Sequence, residues 1–304
     1  MSMRYQAGIV LPGYNALKVP NAPTIGTATG GNTTASVTFT APSDVGGGAI
    51  TGYSVVSTPS GIIGTGASSP VTVSGLSNGT AYTFKVFATN AYGPSPLSAA
   101  SNSVTPAVAI GDAFGGGFFA GQISTAGNGI ADYNLVVGPV ASAQTNLAWK
   151  NTTTATAGAD SDIDGPQNTA DMVADGNSTV YPCAHFCNDL STGGQTDWYM
   201  PAKNELEICY FNLKPTTNTN TTSSGANPNA VPARASNYTS GNPAQTTATN
   251  FKNTGSEDFN ADSYWSSTEL SSTNARLQFF YSGSQFNSAK YNAFFVRAIR
   301  RVAV

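Results

Sequence analysis

Residues 197–207 read DWYMPAKNELE, two aromatic residues followed by charged and apolar positions that suit the start of a helix. Two more segments follow it at wide spacing. They are YWSSTE at 264–269 and FFVRAIR at 294–300, and both are short runs rich in aromatic residues, as buried strands are. The order and spacing of these three segments carry most of what the sequence says about the C-terminal half.

The three segments resemble signatures of a prokaryotic and phage domain family related to the Legionella collagen-like protein C-terminal domain. The resemblance extends over most of residues 110–304 and implies a C-type-lectin-like α+β fold, which usually displays a binding surface and performs no chemistry. It also implies that Trp198 and Trp265 belong to the core. Arg297 is expected to pair with an acid such as Glu205 or Glu207.

The N-terminal half has a different pattern, in which short alternating runs are separated by turn residues. In residues 76–95, LSNGTAYTFKVFATNAYGPS, the side chains of Tyr82, Phe84 and Val86 alternate inward. Leu76, six residues before Tyr82, fits a tyrosine corner, in which the Tyr hydroxyl ties back to the preceding loop. Residues 20–106 therefore resemble a fibronectin type III domain, an all-β sandwich. We expect it to act as a spacer or docking module.

Composition limits the function classes. The 304 residues suffice for two domains. Charged residues make up only 10 % of the chain, whereas about 25 % is usual, and the net charge is −3 with no basic stripe. A nucleic-acid partner is therefore not expected. No stretch reaches the ~18 apolar residues of a membrane span, so insertion into a membrane is not expected.

The first 19 residues are too short to fold alone, and Tyr5 and Tyr14 stand among small and apolar residues. One interpretation is a disordered tail. The other is an anchor arm that docks on another protein, as in structural proteins of tailed phages, which this segment resembles. The run AGIVLPGY lacks a convincing cleavage site, so we expect no secretory signal and assembly in a host cytoplasm.

Two helices and a long loop are predicted within residues 110–304, after the first strands of that domain. Residues 181–190, YPCAHFCNDL, and 200–215, MPAKNELEICYFNLKP, carry apolar residues at helical spacing, with Pro201 opening the second helix. Residues 216–260 are rich in Thr, Asn, Ser and Gly and predict a long surface loop. Three strands are expected after it, with Gly283 in the turn between the last two.

An acidic turn is the candidate metal site. Asp160, Asp162, Asp164 and Asp171 follow the spacing of a calcium loop, in which alternate carboxylates converge on one cation. Pro166 and the lack of a preceding helix argue against an EF-hand. The alternative is an acidic turn that caps the following helix.

Catalysis has little support in the sequence. The single histidine, His185, has no obvious Ser or Asp partner, so we predict no enzyme activity. Cys183, Cys187 and Cys209 lack C-x-x-C spacing and are expected to be reduced and buried. A zinc site built from these three cysteines and His185 is the less favoured alternative.

The candidate ligand site is the exposed face of the last hairpin, where amide and aromatic side chains alternate. Such surfaces suit adaptable hydrogen bonding and stacking on sugars. The alternative is a hairpin that is merely solvated. The predicted ligand-binding residues are Glu269, Asn274, Arg276, Gln278, Tyr281, Gln285, Asn287 and Tyr291.

These observations lead to one expectation of function with two alternatives. We expect a non-enzymatic tail or head fibre protein on a phage virion surface, attached to other virion proteins through its N-terminal arm. Its C-terminal domain would bind a host-surface glycan or protein, and the chain would form a homo-oligomer such as a trimer. The alternatives are a structural cement protein of the virion and a bacterial surface adhesin.

Overall fold

The computed structural model describes residues 17–304, and the arm predicted for residues 1–19 lies outside the described residues except for its last three. The chain divides into two compact units, with the boundary between Ala109 and Ile110. Among the described helices, none combines the length and hydropathy that a membrane crossing requires. The predicted fold class, an all-β domain followed by an α+β domain, is confirmed.

The N-terminal unit is a sandwich of two antiparallel sheets, in the strand orders β1-β2-β5 and β4-β3-β6-β7. Alternating burial, such as that of Val37 and Phe39 in β2, turns one face of each sheet inward. The strands are β1 (Thr24–Gly31), β2 (Thr34–Thr40), β3 (Gly52–Thr58), β4 (Ile63–Gly66), β5 (Val71–Ser74), β6 (Thr83–Asn90) and β7 (Gly93–Pro94).

The core of this unit confirms the predicted tyrosine corner. Tyr82 is 2 % exposed, and its hydroxyl accepts a hydrogen bond of 3.1 Å from the backbone N–H of Ser77. Leu76 is buried beside it. Phe39 packs against Tyr53 with their ring centroids 4.7 Å apart, so two aromatic rings join the sheets.

The C-terminal unit contains two five-stranded sheets. One has the order β12-β9-β10-β17 with β8 paired to β9, and the other has the order β11-β16-β13-β14-β15. The strands are β8 (Ala113–Phe114), β9 (Gly117–Ile123), β10 (Tyr133–Val137), β11 (Gln144–Ala148), β12 (Ala230–Val231), β13 (Ser263–Glu269), β14 (Asn274–Phe279), β15 (Gln285–Ala289), β16 (Ala293–Arg297) and β17 (Ile299–Ala303).

Four helices accompany these sheets: α1 (Val140–Ala143), α2 (Gly165–Asp175), α3 (Pro182–Asn188) and α4 (Lys203–Leu213). The two predicted helices are present as α3 and α4. Pro201 does not open α4, however, because Ala202 is the residue that precedes the first helical turn, and its N–H bonds the Glu205 carboxylate at 2.9 Å. The predicted stop is confirmed, since α4 ends two residues before Pro215.

Both faces of the second sheet are covered at β13. Successive residues of β13 point in opposite directions, so Tyr264 joins one hydrophobic cluster and Trp265 joins the other. Tyr264 packs with Phe280 and Phe259 next to α4, and Trp265 packs with Phe294 in the cluster that includes α3. The prediction that Trp198 and Trp265 are core residues is confirmed, since they are 2 % and 0 % exposed.

The segment 216–260 differs from the predicted surface loop. It has little regular structure, yet Tyr238, Phe251 and Phe259 from this segment are buried in the same cluster as α4. Asn220 and Asn227 are buried too and hydrogen-bond neighbouring backbone and side chains. The polar composition did not indicate this burial, because polar side chains such as these asparagines can be buried when their hydrogen bonds are made.

Arg297 lies at the point where this segment returns to the sheet. It does not pair with Glu205 or Glu207 as predicted; its Nη2 donates to Glu257 Oε2 at 2.9 Å. Its Nε donates to Gly138 O at 2.9 Å and its Nη1 to Glu257 O at 2.8 Å. The guanidinium therefore holds the end of the segment against β16.

The two acids predicted as its partners are buried elsewhere. Glu205 accepts from Arg301 Nε at 2.8 Å and from the hydroxyl of Tyr199 at 2.6 Å. Glu207 pairs with Arg234 and accepts from the hydroxyl of Tyr238 at 2.7 Å. Arg301 comes from β17, whereas Arg234 and Tyr238 come from the segment 216–260. Each acid thus meets an arginine that is distant in the chain, so sequence distance could not rank the candidate pairs.

Candidate functional site

The β14–β15 hairpin brings most of the predicted ligand residues onto one face. The strands pair antiparallel with Gln278 opposite Gln285 and Arg276 opposite Asn287. Because side chains alternate along a strand, these residues and Asn274 point to the same side of the sheet. We call this set the polar ladder: Asn274, Arg276, Gln278, Gln285 and Asn287.

The ladder runs from a buried end to an exposed end. Gln278 is 1 % exposed, which corrects the prediction that it lies on an open surface. Its Nε2 donates to the hydroxyl of Tyr238 and to Gly283 O, both at 3.2 Å, because the 216–260 segment folds over this end. Gln285 Nε2 in turn donates to Gln278 Oε1 at 3.4 Å. Asn287 is exposed.

Arg276, at the middle of the ladder, has an unengaged guanidinium. Within residues 17–304 it is the arginine that none of the ion pairs includes, and its side chain makes no hydrogen bond there. It stands half-buried opposite the amide of Asn287. A planar group of five donors beside an amide is suited to polar ligands.

The remaining three predicted residues lie away from the ladder. Tyr281 is 46 % exposed and stacks on Phe279, with centroids 5.6 Å apart and the rings tilted by 19°. Phe279 alternates to the face opposite Gln278, so Tyr281 extends a different surface. Tyr291 is 63 % exposed in the turn between β15 and β16.

Glu269 is a structural residue. It is 9 % exposed, pairs with Lys290 Nζ at 2.9 Å and accepts from the backbone N–H of Thr156 at 2.7 Å. The prediction that it contributes to an exposed ligand surface is therefore corrected. Its carboxylate is needed inside because Lys290 is itself buried beside the ring of Trp149.

The acidic turn is engaged by the protein. Asp164 accepts from the backbone N–H of Gln167 at the start of α2, so the helix-capping alternative is confirmed. Asp162 pairs with Lys203 at 2.7 Å, and Asp171 accepts from Gln167 Nε2 at 2.9 Å. Asp160 is exposed. Over residues 17–304, no group of three or more acidic, Cys or His residues is placed to hold a metal ion.

The cysteines are free and buried, as predicted. Burial raises the pKa of the thiols of Cys183, Cys187 and Cys209, so they are protonated at neutral pH and are poor nucleophiles. Their spread over two hydrophobic clusters also separates Cys209 from the pair on α3.

His185 lines an open groove of about 520 Å³ beside α3, with Leu147, Phe186 and Leu190 as its apolar walls. Its Nε2 donates to Gly176 O at 2.8 Å, and its Nδ1 lies 3.6 Å from Asp189 Oδ2. A ring nitrogen that already donates to a carbonyl cannot accept a proton from a serine, so this arrangement lacks the geometry of a hydrolase triad.

Sequence reasoning missed the buried network around Glu207. Asn227 Nδ2 donates to Glu207 Oε2 at 2.6 Å, and Arg234 covers the ring of Phe211 at 4.0 Å. Desolvation raises the pKa of the Glu207 carboxyl, and the donors Arg234, Tyr238 and Asn227 act in the opposite direction. No spacing in the sequence could have joined these residues, because Asn227 and Arg234 come from the irregular segment 216–260.

Comparison with solved structures finds muscle-protein modules. Titin kinase with its flanking domains is 28 % identical, with 29 % of this chain and 17 % of that chain covered and a TM-score of 0.27. Titin module A71 from human cardiac muscle is 31 % identical, with 29 % and 90 % covered and a TM-score of 0.24. The chain thus spans under a fifth of the titin kinase structure. No curated protein matches the chain.

Family models identify both units. The fibronectin type III domain matches residues 21–104, and the Lcl C-terminal domain matches residues 138–300, which is more than half of the chain. The predicted order of the two domains is confirmed, and together they indicate a surface or adhesion-type protein. The chain therefore belongs to the Lcl C-terminal domain family and carries a fibronectin type III domain before that domain.

Proposed function

We propose that this protein is a non-enzymatic adhesin that binds a host-surface glycan or protein through the polar ladder of its C-terminal unit. The observation that carries the proposal is the unengaged guanidinium of Arg276, which lies beside the exposed amide of Asn287. Most other cationic groups of this unit are neutralised by carboxylates, as in the pairs of Arg297 and Arg300. A half-buried donor group without an internal partner is available to a ligand.

The ladder suits a shallow contact. It is a row of amide and guanidinium groups on two paired strands, so a single site would bind weakly. Many copies on one surface would convert weak contacts into firm attachment through effective concentration. Tyr281 on the other face offers a separate ring for stacking, and we assign it a secondary role.

The proposal places the protein on a phage virion as a tail or head fibre, assembled in the host cytoplasm and attached through residues 1–19. Its support is the sequence resemblance of that arm and the spacer-like sandwich of residues 21–104. Two roles compete with it: a cement protein of the virion that has no receptor, and a bacterial surface adhesin. Electron microscopy of virions labelled with antibody against the C-terminal unit distinguishes the three.

We propose no catalytic activity, and the support for this is the state of the single histidine and of the three cysteine thiols. His185 Nε2 donates to Gly176 O and its Nδ1 faces the carboxylate of Asp189, and the thiols of Cys183, Cys187 and Cys209 are buried with raised pKa values. Neither arrangement provides an activated nucleophile.

The test measures adhesion of full-length protein, displayed in many copies on beads, to panels of host cells and glycans. Arg276→Ala combined with Asn287→Ala should reduce retention at least about tenfold, since each removes a polar contact worth about 1 kcal/mol. Lys252→Ala is the matched control, because Lys252 is a partly exposed cation of the same unit that also lacks an ion pair among the described residues.

Equal losses in both variants would show that net charge alone governs retention and would remove the ladder from the proposal. Saturable binding that neither variant weakens would place the ligand elsewhere on the protein. Failure to bind any cell or glycan in the panel would favour the cement role.

A further inference from the structure

Strand β15 is an open edge of the second sheet. It is the last strand in the order β11-β16-β13-β14-β15, and its sequence QFNSA contains no charged residue and no proline. Edges of this kind are the ones that pair with another chain, because native proteins usually protect them with lysines, prolines or bulges. The other end of the sheet is covered: α3 packs on β11, where Leu147 O accepts from Cys183 Sγ at 3.5 Å.

The hydrogen bonds at the ends of the hairpin show which residues of β15 face outward. Phe279 N–H donates to Ser284 O at 2.9 Å, and Lys290 N–H donates to Thr273 O at 3.0 Å. Bonded pairs alternate in an antiparallel ladder. Between these two hydrogen-bonded pairs, Phe286 and Ser288 therefore direct their backbone groups to β14. The residues that direct theirs away from the sheet are Gln285, Asn287 and Ala289.

Two of the six outward backbone groups are already satisfied within the chain. Gln285 N–H donates to Ser224 Oγ at 3.0 Å, and Ala289 O accepts from Asn292 N–H at 3.0 Å. Four groups remain without a partner among the described residues. They are the carbonyl of Gln285, the N–H and carbonyl of Asn287, and the N–H of Ala289.

These four groups are complementary to themselves under a two-fold rotation, and we infer that β15 pairs antiparallel with β15 of a second copy of this chain, centred on Asn287. In that register the two Asn287 residues exchange both of their backbone hydrogen bonds. The Ala289 N–H of each copy then donates to the Gln285 carbonyl of the other. In the same register the Gln285 N–H of one copy would face the Ala289 carbonyl of the other. These are the two groups that already have hydrogen-bond partners within their own chain.

The side chains agree with the pairing. The strand carries no charge, so no like charges meet across the axis, where they would oppose association. Phe286, which is 37 % exposed, would lie opposite the partner's Ser288 on the same face. The two polar ladders would join across the axis into one continuous surface.

A contact of one short strand is small compared with the ~1,200–2,000 Å² of a stable interface. The dimer should therefore be weak and concentration-dependent, and two-fold closure predicts an even number of copies rather than a trimer. The pairing stands independently of the proposed adhesin function, since it uses backbone groups alone.

The first test follows the mass of the full-length protein by analytical ultracentrifugation over a wide range of concentrations. Asn287→Pro removes the central outward N–H and spares the bonds to β14, which Asn287 does not make. It should raise the dissociation constant of the dimer at least about tenfold, because each copy loses a hydrogen bond. Asn287→Ser keeps the backbone donor and should leave the dissociation constant within about twofold. Unchanged thermal unfolding shows that the Pro variant is folded.

The second test is covalent and does not depend on Asn287→Pro folding well. At a hydrogen-bonded pair the two Cα atoms lie about 5.5 Å apart, which a disulfide can span. Asn287→Cys should form a disulfide-linked dimer under mild oxidation, whereas Ser271→Cys, at an equally exposed turn, should not.

A chain that stays monomeric at all concentrations, with no preference for cross-linking at position 287, would overturn the inference. A dimer or trimer that Asn287→Pro leaves intact would overturn it as well, because association would then use another surface.

Discussion

Replacing Arg297 with methionine is the strongest perturbation that the fold suggests. The guanidinium is 1 % exposed and makes four hydrogen bonds, three to backbone carbonyls and one to the Glu257 carboxylate. It also lies over the ring of Phe259, 4.8 Å from its centroid. Methionine fills a similar volume and restores none of these bonds. Three backbone carbonyls lose the guanidinium as a donor, and the Glu257 carboxylate is left with the N–H of Val140 at 2.8 Å.

The magnitude follows from opposing terms. Charge-assisted bonds contribute about 1.5–3 kcal/mol each, and bringing the charge out of water costs several kcal/mol, which is also why burial lowers the pKa of Arg297 to about 10. Breaking a buried pair by removing one partner therefore costs about 3–5 kcal/mol. For a unit of this size that corresponds to a fall in Tm of about 6–20 °C.

Tryptophan fluorescence during thermal or urea unfolding isolates this unit, because Trp149, Trp198 and Trp265 all lie within it. Arg300→Met is the control: Arg300 also pairs with an acid, but Asp197 is 57 % exposed, and exposed pairs contribute about 1 kcal/mol or less. A double-mutant cycle with Glu257→Gln should show a coupling energy of about 1–3 kcal/mol. Equal losses for Arg297→Met and Arg300→Met, or additive effects in the cycle, would refute the reasoning.

Two further outcomes test single contacts. Tyr82→Phe should destabilise the N-terminal unit by about 0.5–1.5 kcal/mol, because the hydrogen bond from the N–H of Ser77 is lost. Unfolding in urea followed by circular dichroism measures this loss, with Tyr92→Phe as a control at an exposed tyrosine. Equal effects of the two substitutions would reject the tyrosine corner. Hydrogen bonds from Arg300 lower the pKa of Asp197 in the folded protein. The stabilisation that the Asp197 carboxylate provides is therefore present above the unfolded pKa of 3.8 and is lost as pH falls through the folded pKa. The difference in Tm between wild type and Asp197→Asn should shrink below pH 3.8, and a difference that grows there would contradict the assignment.

Part of the candidate site could be predicted from the sequence. Strand alternation places Asn274, Arg276 and Gln278 on one face whatever the rest of the chain does, because side chains alternate with a period of two. The solvent exposure of these three residues could not be predicted from the sequence. Gln278 is covered by the hydroxyl of Tyr238, 40 residues earlier in the chain, and the composition around Tyr238 resembles that of a solvated loop.

The sequence alone determined the local elements: the alternating strands of the sandwich, the corner at Tyr82, the helices α3 and α4, and the core positions of Trp198 and Trp265. Those features depend on the periodicity of apolar side chains, on turn residues and on hydrophobic burial, and all three can be recognised from residues that are close together in the sequence. Only the tertiary structure decided that Arg297 pairs with Glu257, that Glu269 is buried against Lys290 and that β15 is an open edge. Each of these depends on which distant segments meet, and the pairing of buried charges and of sheet edges is set by that geometry rather than by spacing along the chain.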